Sequence, residues 1–206
     1  VIVVDDGSAD NSGAVLRELN RQFDFRLDLR EHHGLSKTVN YAITEYAHGK
    51  YITITASDDI WLPGKLTKQV RFMEENPQFP MAYGKSKVMD VDGNFLERQT
   101  ATLNAGLKGG MIFKDIFLMD FHPPVNYIYR AEVLRSLGLF DERSWVADFD
   151  MNLRIAEKYP IGFMDEFLDC YRRGDNSSSW NDPVNIVLSH RYTIDKFRGS
   201  HWYREA

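Results

Sequence analysis

Two β-branched runs in this chain end in paired carboxylates, and a helical pattern follows each. Val1-Ile2-Val3-Val4 passes straight into Asp5-Asp6, then Gly7 and SADNSGAVLRELNRQ, where Ser8, Asp10 and Asn11 are capping candidates ahead of Val15, Leu16 and Leu19 at helical spacing. KYITITA runs into Ser57-Asp58-Asp59, and PGKLTKQVRFMEENP follows with Pro63 at its start and Leu66, Val70 and Met73 predicted inward. Between these units, FRLDLR alternates as a short strand. HHGLSKTVNYAITEYAHG then places Leu35, Val39, Ala42, Ile43 and Tyr46 on one helical face before Gly49. Strands alternating with helices imply a mainly parallel sheet covered by helices, hence the α/β class.

The second half changes character. MAYGKSKVMDVDGNFLE carries an Asp-Gly turn between extended segments, which predicts a hairpin. A helix around KGGMIFKDIFLM, a strand at VNYIYR and a helix at AEVLRSLG are expected next. WVADFDMNLRIAEKYP reads as a helix with Phe149, Leu153 and Ala156 on one face, and GFMDEFLDCYRR as the strand after it. This mixed β half completes a domain over 1–180. Residues 181–206 form a helical tail with Val187, His190, Ile194 and Phe197 on one side and Arg191, Lys196 and Arg198 among its basic residues. Docking on the body is the favoured reading of that tail over a membrane-surface role. Asn176-Ser177-Ser178 fits a glycosylation sequon in a polar loop, with nothing in the sequence to suggest secretion.

Of the 206 residues, 43% are hydrophobic and 27% charged, enough for one sizeable core and against disorder. The single cysteine, Cys170, rules out an internal disulfide framework, favours a reducing compartment and reads as a buried small hydrophobe. No apolar run approaches the roughly 20 residues of a membrane span. Peripheral membrane association stays open. A net charge of −5, with no stretch combining basic and aromatic residues, argues against a nucleic-acid partner.

In parallel α/β sheets ligands bind beyond the carboxyl ends of the strands, where both acidic pairs are expected. Four carboxylates in one crevice are costly unless a cation or donors compensate them. A divalent metal would do so, and oxygen ligands favour Mg²⁺ or Mn²⁺; His32-His33 reads as loop histidines. Capping or a solvated turn would explain one such pair alone. Two pairs at equivalent strand ends favour a site.

VDDGSADNS, GLSKTVNYAI, ASDDIWLPGKL, WVADFD and YRRGDNSS, in that order, resemble successive motifs of the family 2 glycosyltransferases of GT-A fold, from Val1 to about Ser179. The resemblance implies a Rossmann-like sheet and an inverting hexosyltransferase. It would move a sugar from a nucleotide-diphosphate donor, UDP-linked by preference, to a saccharide or lipid-linked saccharide acceptor. The setting implied is cell-surface polysaccharide synthesis at the cytoplasmic face. Asp6 would contact the nucleotide base with Asp5 beside it, Asp58 would approach the ribose or sugar, and Asp59 would ligate the metal. Lys37 stands where it could reach the diphosphate or simply be exposed. Asp148 falls where inverting members carry their catalytic base, and a helix N-terminus there would keep it ionised. Asp150 competes for that role. Trp145 could stack on an acceptor sugar or be a core or loop aromatic. Tyr171-Arg172-Arg173-Gly174 lacks the histidine many relatives have, and Arg173 could contact phosphate instead. The family's first strand and helix would precede Val1, so weak nucleotide binding is expected unless that segment is supplied.

Two other readings compete. A phosphoacceptor receiver domain also opens on an apolar strand ending in acids, but it does not account for the second acidic pair or the long mixed half. A catalytically inactive nucleotide-binding or scaffolding protein of the same fold would keep the motifs without turnover.

Overall fold

The computed structural model describes residues 1–174 and 182–205; the Asn176-Ser177-Ser178 sequon lies outside them. The chain order is β1 (Ile2–Asp5), α1 (Ser12–Gln22), β2 (Arg26–Leu29), α2 (Leu35–Glu45), β3 (Tyr51–Thr53), β4 (Ile60–Trp61), α3 (Lys65–Glu75) and β5 (Met81–Met89). It continues with α4 (Glu97–Leu103), α5 (Phe113–Phe117), β6 (Ile128–Arg130), α6 (Ala131–Ser136), α7 (Ala147–Ala156), β7 (Gly162–Arg172) and α8 (Pro183–Asp195).

β1 and β2 pair in parallel across the α1 crossover, Val3 opposite Leu27. The other strands form one five-stranded sheet in the order β3-β6-β5-β7-β4. Its β5–β7 ladder is parallel and the rest are antiparallel. The expected α/β class with a mixed second half is therefore present. The parallel share is smaller than alternation alone implied, because β3 pairs with the oppositely running β6 rather than with β1 or β2.

The expected hairpin is cut short. The Asp90 carboxylate accepts the N–H groups of Asp92 and Asn94, the chain returns for a single bridge between Met89 and Phe95, and α4 takes over. α4, unforeseen in the sequence, serves the backbone of β5 in place of a strand. Val88 N–H donates to Thr100 Oγ1 at 2.8 Å, and the Asn104 amide both accepts from Ser86 N–H and donates to Ser86 O. Side chains thus satisfy groups that an open edge would expose.

On α3 the helical period holds but its phase is shifted by one residue. Leu66 and Val70, expected inward, are exposed, and the buried row is Lys65, Gln69 and Met73. Polar partners beneath the helix, described below, make that phase favourable. Leu35 is likewise exposed at the first turn of α2, which turns Ile43 and Thr38 inward. α7 is buried well beyond one face, with Phe149, Met151, Leu153, Ile155 and Ala156 in the main core. The tail docks as expected: Phe197 packs on Phe113 and Phe117, and His190 sits against Phe149, while Val187 stays exposed. Its basic residues are engaged, Lys196 with Asp141 and Asp150, Arg191 and Arg198 with Asp195. Cys170 is buried, as anticipated.

Candidate active site

The end of β1 is built around its two carboxylates. Asp5 folds back on its own loop, accepting the N–H groups of Gly7 and Ser8 and the Ser8 hydroxyl. Gly7 has φ +80° and any Cβ there would lie 2.6 Å from the His32 nitrogen, so the loop needs glycine. Asp6 reaches across to the segment before α2. Its Oδ1 accepts His33 N–H at 3.0 Å and the Thr38 hydroxyl, and its Oδ2 accepts Gly34 N–H at 2.9 Å and faces His32 Nδ1 at 3.0 Å. Burial pushes the Asp6 carboxyl up, but the Thr38 hydroxyl and the two N–H groups outweigh it and hold the carboxyl below its ordinary value. Both acids of this pair are thus engaged by the chain itself. Lys37, in the first turn of α2, is exposed and forms no ion pair among the described residues.

The second pair has a different environment. Asp58 is exposed and Asp59 half-buried. β4, which the sequence did not announce, pairs Ile60 with Cys170 and Trp61 with Asp169, pinning the acidic turn to the end of β7. Arg172 closes the clasp: its N–H donates to Asp59 Oδ1 at 2.9 Å, and its guanidinium donates to the carbonyls of Asp58, Asp90 and Val91. Burial raises the Asp59 carboxyl to about 6, against the Arg172 N–H, and the neighbouring charges of Asp58 and Asp169 add to the rise.

Beneath it runs a buried polar network. Lys65 Nζ lies 3.3 Å from Asp169 Oδ2, with side-chain exposures of 1% and 5%. Asp169 Oδ1 accepts from Ser86 and Asn126, and Gln69 donates to the Asn126 carbonyl at 2.6 Å. These residues and Arg172 escaped the sequence reading. Lys65 and Gln69 four apart, and an aspartate inside an apolar strand, were the available signals.

Asp148 lies in the first turn of α7 and accepts no hydrogen bond among the described residues. Asp150, the competitor, is fully buried and bound on both oxygens, by Arg154 Nε at 2.8 Å and by Lys196 Nζ. The Asp148 charge acts on a group of tyrosines. Burial and then the Asp148 charge push Tyr127 and Tyr129 well above the ordinary phenol. Tyr171 is raised by burial and then by Asp59, Asp58 and, more weakly, Asp148, with Arg173 opposing. One phenol thus lies within electrostatic reach of both Asp148 and the Asp58–Asp59 pair. Trp145, just ahead of α7, is largely exposed.

The expected crevice of four carboxylates does not form as a cluster. Among the described residues no group of three or more His, Cys, Asp or Glu side chains is arranged to hold a metal. Asp5 is held by its own loop and Asp6 by the segment that opens α2.

This architecture is the GT-A fold of glycosyltransferases. The Staphylococcus aureus TarS 1–349 structure, in complex with UDP-GlcNAc, superposes with TM-score 0.71 over 98% of this chain and 58% of that one, at 17% identity. Mannosyltransferase PcManGT from Pyrobaculum calidifontis, in complex with GDP-Man and Mn²⁺, gives 0.68 over 97% and 55%, at 18% identity. Residues 1–138 match glycosyl transferase family 2, and the chain belongs to that family. Among curated relatives, glycosyltransferase MJ1057 of Methanocaldococcus jannaschii is 27% identical over 98% of this chain and 68% of its own length. The Escherichia coli UDP-Glc:alpha-D-GlcNAc-diphosphoundecaprenol beta-1,3-glucosyltransferase WfgD is 32% identical over 52% of this chain and 43% of its own. The chain spans only 26% of a 27%-identical glycosyltransferase of Rickettsia bellii. No helix among the described residues is long and apolar enough to cross a membrane.

Proposed function

We propose that this chain is an inverting, metal-dependent hexosyltransferase that takes a sugar from a nucleotide-diphosphate donor, UDP-linked by preference, and passes it to a saccharide acceptor in polysaccharide synthesis. The observation that carries the reading is the contrast within α7: Asp148 accepts no hydrogen bond among the described residues and its charge acts on Tyr171 together with those of Asp58 and Asp59, whereas Asp150 is buried in ion pairs. Asp148 takes the proton of the acceptor hydroxyl as its oxygen attacks the anomeric carbon, and the bond from that carbon to the diphosphate oxygen breaks on the opposite side. A single displacement of this kind inverts the configuration. Asp59 and Asp58 would hold Mn²⁺ or Mg²⁺; such ions use one or two carboxylates and complete their shell with phosphate oxygens and water, which fits a site without a third protein ligand. When bound, the metal neutralises charge on the departing diphosphate. Asp6 shapes the loop at 32–38 into a wall for the base, with direct contact following displacement of the exposed His32, and Lys37 extends toward the diphosphate. Support for the donor and acceptor classes comes from the relatives' own names: UDP-GlcNAc and GDP-Man in the solved structures, a diphosphoundecaprenol-linked saccharide for WfgD. Synthesis at the inner face of a membrane is part of the same proposal.

Thermal unfolding with UDP, GDP and dTDP, each with and without Mn²⁺, tests the donor site, because a ligand that binds only the folded state raises its stability. A metal-dependent rise with one nucleotide is expected. No rise with any of them refutes the reading.

A further inference from the structure

A cavity of about 390 Å³ opens between α4 and the end of β7, large enough for a small ligand. The chemistry proposed above leaves it unused. Val88, Leu103 and Tyr171 give it apolar walls, while Arg98, Gln99 and Arg173 add donors. Val88 and Tyr171 are direct partners in the β5–β7 ladder, so the cavity occupies the same sheet face as the phenol that lies within reach of Asp59 and Asp148. It therefore adjoins the reacting centre rather than some distant surface. Arg98 is exposed at the mouth of the cavity and forms no ion pair among the described residues, in a chain whose net charge is −5. A guanidinium left unmatched beside apolar walls suits a ligand with a phosphoryl group attached to a less polar body, since its fork of N–H donors fits phosphate oxygens.

We propose that this cavity is the acceptor subsite and that Arg98, with Arg173 beside it, receives a phosphoryl group through which the acceptor saccharide is linked. The inference rests on the glycosyl-transfer reading for the word acceptor, but the anion site itself does not depend on it. The saccharide hydroxyl would then lie toward Tyr171 and Asp148, and the linked phosphate would be held on the side away from the metal-binding pair.

The test is calorimetric titration of the whole chain in EDTA, which removes any metal-held phosphate site, with inorganic pyrophosphate, farnesyl diphosphate and glucose as probes. Both diphosphates are expected to bind and glucose to bind far more weakly. Arg98→Gln should weaken both by roughly tenfold or more, the scale of a hydrogen bond to a charged group, while leaving the response to UDP with Mn²⁺ unchanged. Thr102→Phe, which fills the cavity from α4 and leaves its charge intact, should do the same. Tighter binding of farnesyl diphosphate than of pyrophosphate identifies a lipid-linked acceptor, and equal binding a phosphate in a non-lipid acceptor; either supports the site. Diphosphate binding untouched by Arg98→Gln, binding abolished instead by Lys37→Gln, or no binding at millimolar concentration overturns it. If diphosphate binds through Arg98 while UDP with Mn²⁺ fails to bind, the anion site stands and the donor reading falls.

Discussion

Asp148 and Asp150 are two residues apart on α7, and the structure assigns them opposite consequences when each is replaced by asparagine. Asp150 is fully buried between Arg154 and Lys196, whose side chains are 20% and 26% exposed. Removing one partner of a buried ion pair costs about 3–5 kcal/mol. Here the stranded cations can rehydrate, and asparagine keeps one acceptor, so about 2–3 kcal/mol is the expected loss. For a domain of this size that lowers Tm by about 5–10 °C. Asp148 accepts no hydrogen bond among the described residues, and its favourable position in the first turn of α7 contributes about 0.3–1 kcal/mol. Asp148→Asn should therefore melt within about 3 °C of the parent. Its kcat, followed as release of nucleoside diphosphate from the nucleotide sugar, should fall by roughly 10²–10⁴, the scale of general base catalysis. Nucleotide binding should survive. Asp150→Asn should show the reverse, a lower Tm with kcat within about threefold at a temperature where it is folded, since it removes no general base. A normal melt with lost turnover in Asp150→Asn, or retained turnover in Asp148→Asn, would refute the assignment.

Two further outcomes follow from the neighbourhood of Asp59. Its carboxyl is raised to about 6 from 3.8, so its proton favours the folded apo state below pH 3.8 and that contribution is lost as pH rises through about 6. A metal must displace this proton, so Mn²⁺-dependent UDP binding should weaken by roughly tenfold per unit as pH falls below about 6; a profile flat from pH 7 to 5 would sink the metal role of Asp59. Lys65→Met leaves Asp169 buried without its cation and should cost about 3–5 kcal/mol, whereas Lys65→Met combined with Asp169→Leu should recover most of that loss. Denaturant midpoints of the two variants decide it, and a double variant no more stable than the single one would contradict the pairing.

What was legible in the sequence was periodicity and strand-end chemistry. VIVV and ITIT could only be strands, the helices α1, α2, α3 and α7 lie where the apolar spacing put them, and the acids end up beside the turns that follow those strands. Three things were not legible. Strand direction in the second half depends on which segments meet in space, and β3 meeting β6 is a long-range event. The phase of α3 defeated a hydrophobicity argument because Lys65 and Gln69 are buried against Asp169 on β7 and Asn126, neither of which is near in sequence. The difference between Asp148 and Asp150 is likewise invisible locally, since both are acidic residues in one helical turn. Only the arrival of Lys196 from α8 and Arg154 from the next turn separates them.

That buried network also explains why an α/β core would tolerate a lysine and an aspartate at its centre. A hydrophobic pair of the same volume would often be as stable or more so. What Lys65 and Asp169 add is placement: Asp169 lies opposite Trp61 in the two-residue β4, and β4, with Leu62 N–H donating to the Leu168 carbonyl just after it, ties the Asp58–Asp59 turn to the sheet before Arg172 closes over it. A strand so short has little ladder of its own to hold register, and slipping by one residue would turn each of its side chains to the other face. A charged partner at one end and the Arg172 clasp at the other remove that freedom. On the proposed reading, the stability given up in burying charge keeps one carboxylate oxygen aimed at the donor side.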